Sequence, residues 1–78
     1  LKIQYSKQAA KFLKKQDAST QKRIVTAINL LPAGDVKKLK GTNSYRLRVG
    51  DFRIVFDTNG NILYIESIGN RGQIYKGV

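Results

Sequence analysis

Residues 45–56 read Tyr45-Arg46-Leu47-Arg48-Val49-Gly50-Asp51-Phe52-Arg53-Ile54-Val55-Phe56. Apolar and basic residues alternate as far as Val49, Gly50-Asp51 interrupts them, and a second β-rich run begins at Phe52. This is the pattern of a hairpin with a two-residue turn. The turn sets the register. With Val49 opposite Phe52, counting outward places Arg48 against Arg53, Leu47 against Ile54, Arg46 against Val55 and Tyr45 against Phe56. Side chains alternate between the two faces of a strand, so Tyr45, Leu47, Val49, Phe52, Ile54 and Phe56 share one face, which must be buried. Arg46, Arg48 and Arg53 share the other.

Like charges directly opposite one another on a sheet are destabilising by a few tenths to about 1 kcal/mol, and Arg48 against Arg53 is such a pair. A solvated outer face accounts for the alternation. It does not account for three charges of one sign, which point to a face that binds anions.

Composition supports that direction. The chain has 78 residues, enough for a single domain over residues 1–78 in which every element must serve one core. Apolar residues make up 41% of it, which with the clear periodicity argues against disorder. The net charge is +10, from fifteen Lys and Arg against five Asp and Glu, so the surface suits a polyanion or an acidic partner. Thirteen of the fifteen basic residues lie between Lys2 and Arg53, so the charge is not gathered in a tail. Cys and His are absent, which removes thiolate chemistry and the usual general base. With so few scattered carboxylates a metal site is not expected either, and no cofactor is. No apolar run is long enough to span a membrane and the amino terminus does not read as a signal peptide, so a cytoplasmic protein with no membrane partner is the expectation.

Outward from the hairpin, Leu1 to Tyr5 alternates as a half-buried strand. Ser6 is placed to cap a helix carrying Ala9, Phe12 and Leu13 on its dry side. Asp17 or Ser19 can cap a second helix with Ile24, Ala27, Ile28 and Leu31 at the same spacing, which Leu31-Pro32 and Gly34 stop. The two helices form an αα-hairpin. Asp35 to Ser44 reads as a loop bearing Lys37, Lys38 and Lys40. Beyond the central hairpin, Asp57-Thr58-Asn59-Gly60 reads as another tight turn, since Asn-Gly is a strong hairpin signal. That register sets Phe56 against Leu63, Val55 against Tyr64, Ile54 against Ile65 and Arg53 against Glu66. Tyr64 and Glu66 then join the arginine face. Gly69 to Gly72 ends the last strand, and residues 73–78 form a tail. The expected fold is α+β: an N-terminal strand, the αα-hairpin, then a three-stranded antiparallel meander with the helices on one face of the sheet.

The order of elements, the Lys38-Leu39-Lys40-Gly41 loop, the Tyr45–Phe56 hairpin and the closing Ile68-Gly69-Asn70-Arg71 with Tyr75 four residues on together resemble the RelE toxins of the RelE/ParE toxin–antitoxin superfamily. The resemblance covers nearly the whole chain. It implies a ribosome-dependent endoribonuclease that cuts messenger RNA in the ribosomal A site and is neutralised by a cognate antitoxin. It further implies an active site at Arg46 and Arg48 on the first hairpin strand, Arg53 on the second, Arg71 after the last strand and Tyr75 near the C-terminus. Lys37, Lys38, Lys40 and Tyr64 would contact RNA, with Glu66 and Asn70 in support.

The chemistry suits that set. In metal-free RNA cleavage the 2′-hydroxyl attacks the adjacent phosphorus, so a base takes its proton, cations neutralise the transition state, and the 5′-oxygen receives a proton. Arginine matches phosphate oxygens bidentately and stays charged, but for the same reason it is a poor base. Some members of the family carry lysines at positions 46 and 48, and many a histidine where this chain has Asn70. That leaves Tyr75 and Glu66 as candidate bases, though Glu66 beside Arg53 also reads as its salt-bridge partner and Tyr75 could stack on a nucleobase. The competing readings are a non-catalytic ParE-like toxin that grips DNA gyrase and a plain basic nucleic-acid-binding module.

Overall fold

The computed structural model describes residues 2–70. The chain runs β1 (Lys2–Tyr5), α1 (Lys7–Lys14), α2 (Ala18–Asn29), β2 (Asp35–Lys38), β3 (Tyr45–Val49), β4 (Phe52–Asn59) and β5 (Ile62–Asn70). All five strands form one sheet in the order β1-β5-β4-β3-β2, with β1 parallel to β5 and the other neighbours antiparallel. The α+β arrangement expected from the sequence holds, with one strand more than expected. The meander has four strands, because residues 35–38 pair with β3 instead of forming a loop.

Both helices start where a side chain can accept from an orphan backbone N–H. The Ser6 hydroxyl accepts from Ala9 N at 3.1 Å, and Asp17 Oδ1, rather than Ser19, accepts from Thr20 N at 2.9 Å. Hydrogen bonds from Thr20, side chain and backbone, hold the Asp17 carboxyl below its ordinary range. The dry faces of the helices meet one face of the sheet. Ala9, Ile24 and Ile28 pack with Leu47, Val49, Ile54, Phe56, Leu63, Ile65 and Ile68 in a single core. Full burial of each large aliphatic side chain contributes about 1.5–3 kcal/mol. Phe12 of α1 meets Phe52 edge-on with ring centroids 5.9 Å apart, and Tyr45 stacks on its cross-strand partner Phe56 at 5.6 Å. Among the described residues no helix is long and apolar enough to cross a membrane.

The central hairpin has the register read from the sequence, from Val49↔Phe52 out to Tyr45↔Phe56. Gly50 takes φ +58° while among the described residues no non-glycine has positive φ, the pattern of a type II′ turn. Any Cβ there would also run into the Arg23 guanidinium of α2.

The β4–β5 register differs from the expectation by two residues. Asn59 pairs with Ile62, so the turn is Gly60-Asn61 and not Asn59-Gly60. An Asn-Gly turn of type I′ needs positive φ at both residues; here Gly60 at φ +63° takes the first position, again as in type II′. Phe56 therefore faces Ile65 and Asp57 faces Tyr64. A slip of two keeps side-chain parity, so Leu63 and Ile65 still point into the core. A bulge then inserts Glu66: Val55 pairs with Ser67, Ile54 with Ile68 and Arg53 with Gly69. The extra residue turns Ile68 inward, where it is fully buried.

Candidate functional site

The sheet face away from the helices carries the charges. Arg46 and Arg48 project from the same side of β3, two residues and about 7 Å apart along the strand, and Arg53 lies directly opposite Arg48 on β4. The Cβ atoms of such a pair are about 5 Å apart. On the other flank of β3, Lys37 of β2 lies opposite Arg46 and Asp35 opposite Arg48. The face thus holds two like-charge cross-strand pairs side by side, Arg48/Arg53 and Arg46/Lys37. Asp35 offsets part of the repulsion: its Oδ1 is 3.9 Å from Arg46 Nη2, with the Arg46 side chain 11% exposed and Asp35 58% exposed. Arg48 is exposed and Arg53 half-buried.

The remaining predicted positions divide. Lys37 belongs to this face, but Lys38 pairs with Tyr45 and so shares the opposite parity, while Lys40 lies in the loop after β2. Lys38 and Lys40 line an open depression of about 500 Å³ with Leu39, Gly41, Thr42 and Asn43. Tyr64 is on the arginine face and 37% exposed. It stands opposite Asp57, four residues along β4 from Arg53, or about 13 Å. Asn70 is the last residue of β5, opposite Phe52. Arg71 and Tyr75 lie outside the described residues.

Glu66 is not opposite Arg53. The bulge and the shifted turn move it along the sheet, and its Oε2 accepts a 2.6 Å hydrogen bond from the Ser44 hydroxyl, just before β3. The position beside Arg53 on β5 belongs to Gly69, which presents no side chain there. Two residues of the site were missed by sequence reasoning. Asp35 stood in a stretch read as loop, and Ser44 has no pattern that links it to Glu66. The signal for β2 was there in part: Val36 opposite Leu47 is the single apolar residue of a four-residue edge strand whose Lys37 and Lys38 are poor strand formers.

Chemically, a row of guanidinium groups on a rigid sheet can take phosphate oxygens without rearranging, because the strands fix the spacing.

Comparison with known proteins adds a lineage to this geometry. A family model described as ParE toxin of type II toxin-antitoxin system, parDE, matches residues 3–75. The chain is 32% identical to Toxin RelE3 of Methanocaldococcus jannaschii over 84 aligned residues, which covers 96% of each protein. It is similar in structure to a chain of the RelB-RelE antitoxin-toxin complex of Methanococcus jannaschii, with TM-score 0.76 and 32% identity over 94% of this chain and 95% of that one. A chain of the archaeal RelE-RelB complex of Pyrococcus horikoshii OT3 matches with TM-score 0.77 and 26% identity, covering 92% of this chain and 96% of the other.

Proposed function

We propose a function from a premise that needs no proposal: the chain belongs to the RelE/ParE family of toxins of type II toxin–antitoxin modules. Within that family we assign it to the ribosome-dependent endoribonucleases that cut messenger RNA without a metal and are neutralised by a cognate antitoxin. The relatives in the two solved complexes are paired with RelB antitoxins, which supports a partner of that kind here.

One observation carries the nuclease reading. Two like-charge pairs stand side by side on the face that the helices leave bare. That arrangement costs folding free energy, and a polyanion bound there offsets it. In this reading Arg53 and Arg71 contact the scissile phosphate and its transition state. Arg48, the exposed member, holds the flanking backbone. Arg46, largely covered and close to Asp35, holds the phosphate in a fixed orientation. Removal of one such donor costs a few kcal/mol of transition-state stabilisation. With Glu66 tied to Ser44, proton abstraction from the 2′-hydroxyl is assigned to Tyr75, and the loss of a salt-bridge role beside Arg53 removes Glu66 from the reaction centre. Lys37 extends the phosphate path. Lys38, Lys40 and Tyr64 are too far from Arg53 to share its phosphate and are assigned to RNA on either side.

A second reading is favoured by the family model itself, which is named for ParE: a toxin that grips DNA gyrase and cuts nothing. Induction of the protein in growing cells, followed by mapping of transcript 5′ ends, separates the two. Cuts inside translated codons, abolished by Arg53→Ala with unchanged circular dichroism, support the nuclease. Intact transcripts with DNA damage overturn it in favour of gyrase.

A further inference from the structure

The outer edge of β5 shows how the chain is delivered to the arginine face. β1 pairs with β5 only as far as Tyr5↔Ile65, because the chain turns into α1 at Ser6. Beyond that point the β5 backbone has lost its neighbour strand, and a bulge at Glu66 has disturbed its pairing with β4 as well. Such an edge would normally fray. Instead, the first turn of α1 takes over its hydrogen bonds in order. Ser6 N donates to Ile65 O at 2.9 Å and Ser6 Oγ to Glu66 O at 2.7 Å. Gln8 Nε2 then donates to Ile68 O at 2.8 Å, while Gln8 Oε1 accepts from Ile68 N at 2.9 Å. A primary amide offers one donor and one acceptor side by side, and here it bonds to both backbone groups of one residue, as the next residue of a strand would.

From this we infer that Gln8 is a positioning residue of the RNA-cleaving site, an inference that rests on the nuclease reading above. Its amide substitutes for the missing strand at Ile68, holds the register after the bulge, and so sets Gly69 opposite Arg53 and the point from which the chain continues through Asn70 into Arg71. Gln8 belongs to α1, which packs on the sheet face opposite to that of Arg46, Arg48 and Arg53, and it acts through the backbone of Ile68. Catalytic geometry is sensitive to such control, since a displacement of about 1 Å can cost on the order of 100-fold in rate.

The test pairs a structural and a kinetic readout on the full chain. Gln8→Ala removes both hydrogen bonds, and Gln8→Met removes both while keeping the length and the helix propensity of the side chain, so it serves if the first variant folds poorly. In either variant the Ile68 amide should exchange with solvent about tenfold faster or more. Cleavage of messenger RNA on purified ribosomes should show kcat lowered about 10- to 100-fold with KM within about twofold. An unchanged exchange rate at Ile68 overturns the clamp. Faster exchange with wild-type kcat overturns the positioning role and leaves a purely structural bond. If the wild-type chain itself cuts no RNA on ribosomes, the nuclease reading falls and this inference with it, an outcome distinct from wild-type cleavage that Gln8 does not influence.

Discussion

Replacing Arg48 by Thr separates folding from function at the centre of the basic face. Arg48 lies between two charges, Arg53 on β4 and Asp35 on β2. At a charge separation of about 7 Å in water each pair is worth roughly 0.6 kcal/mol, repulsive toward Arg53 and attractive toward Asp35. The two nearly cancel. Because Arg48 is exposed, truncation opens no cavity, and Thr suits a strand at least as well as Arg does. Stability in urea should therefore change by no more than about 0.5 kcal/mol. Activity should respond quite differently. An arginine that holds the backbone flanking the scissile phosphate acts through orientation, where a displacement of about 1 Å costs on the order of 100-fold in rate, so cleavage on ribosomes should fall about 10²-fold. The assay is a primer-extension measurement of cut messenger RNA against time, with urea melts of the same preparations. A variant that cleaves at the wild-type rate, or one that loses more than about 2 kcal/mol of stability, refutes the reasoning: the first removes Arg48 from the site and the second makes it structural.

Two further outcomes test the framework that holds this face. Ser6→Ala removes both the cap of α1 and the hydroxyl bond to Glu66 O, and should lower stability in urea melts by about 2 kcal/mol. Asp17 has a folded-state pKa below its unfolded value, so its contribution is present above the unfolded pKa and is lost as pH falls through the folded one. The urea midpoint of the wild type should accordingly drop faster below about pH 4 than that of Asp17→Asn, whose cap does not titrate.

The central hairpin was legible because two independent constraints agree. The Gly50-Asp51 turn sets the register, and the alternation of Leu47, Val49, Ile54 and Phe56 against the arginines demands the same register from burial. The second turn offered no such agreement. Asn59-Gly60 and Gly60-Asn61 are both good turn pairs, and a slip of two leaves Leu63 and Ile65 inside in either case, so hydrophobic pattern cannot choose between them. The bulge was hidden for a similar reason, since Glu66 and Ser67 are both polar and either could have faced outward. β2 escaped notice because a four-residue edge strand built from Asp, Val and two Lys carries the composition of a loop. Arg46, Arg48 and Arg53 came together as the alternation required, whereas Glu66, whose place depended on the second turn and the bulge, did not reach Arg53.

What stands beside Arg53 is decided by those two undetected features together. Had the strand run on from the Gly60-Asn61 turn without a bulge, Arg53 would face Ile68, and an isoleucine would lie among the arginines while Ser67 pointed into the core. The inserted Glu66 reverses that parity: Ile68 goes to the core at no exposure, and Gly69 takes the place opposite Arg53. Arg53 thus has Gly69 as its cross-strand neighbour on β5 and Arg48 on β3. Reversing parity with one residue costs β5 its regular ladder on the β4 side, just where β1 has stopped supporting it on the other. Ser6 and Gln8 supply hydrogen bonds at that break. The first turn of α1, some sixty residues earlier in the chain, is therefore as much a part of the arginine face as the strands that carry the arginines.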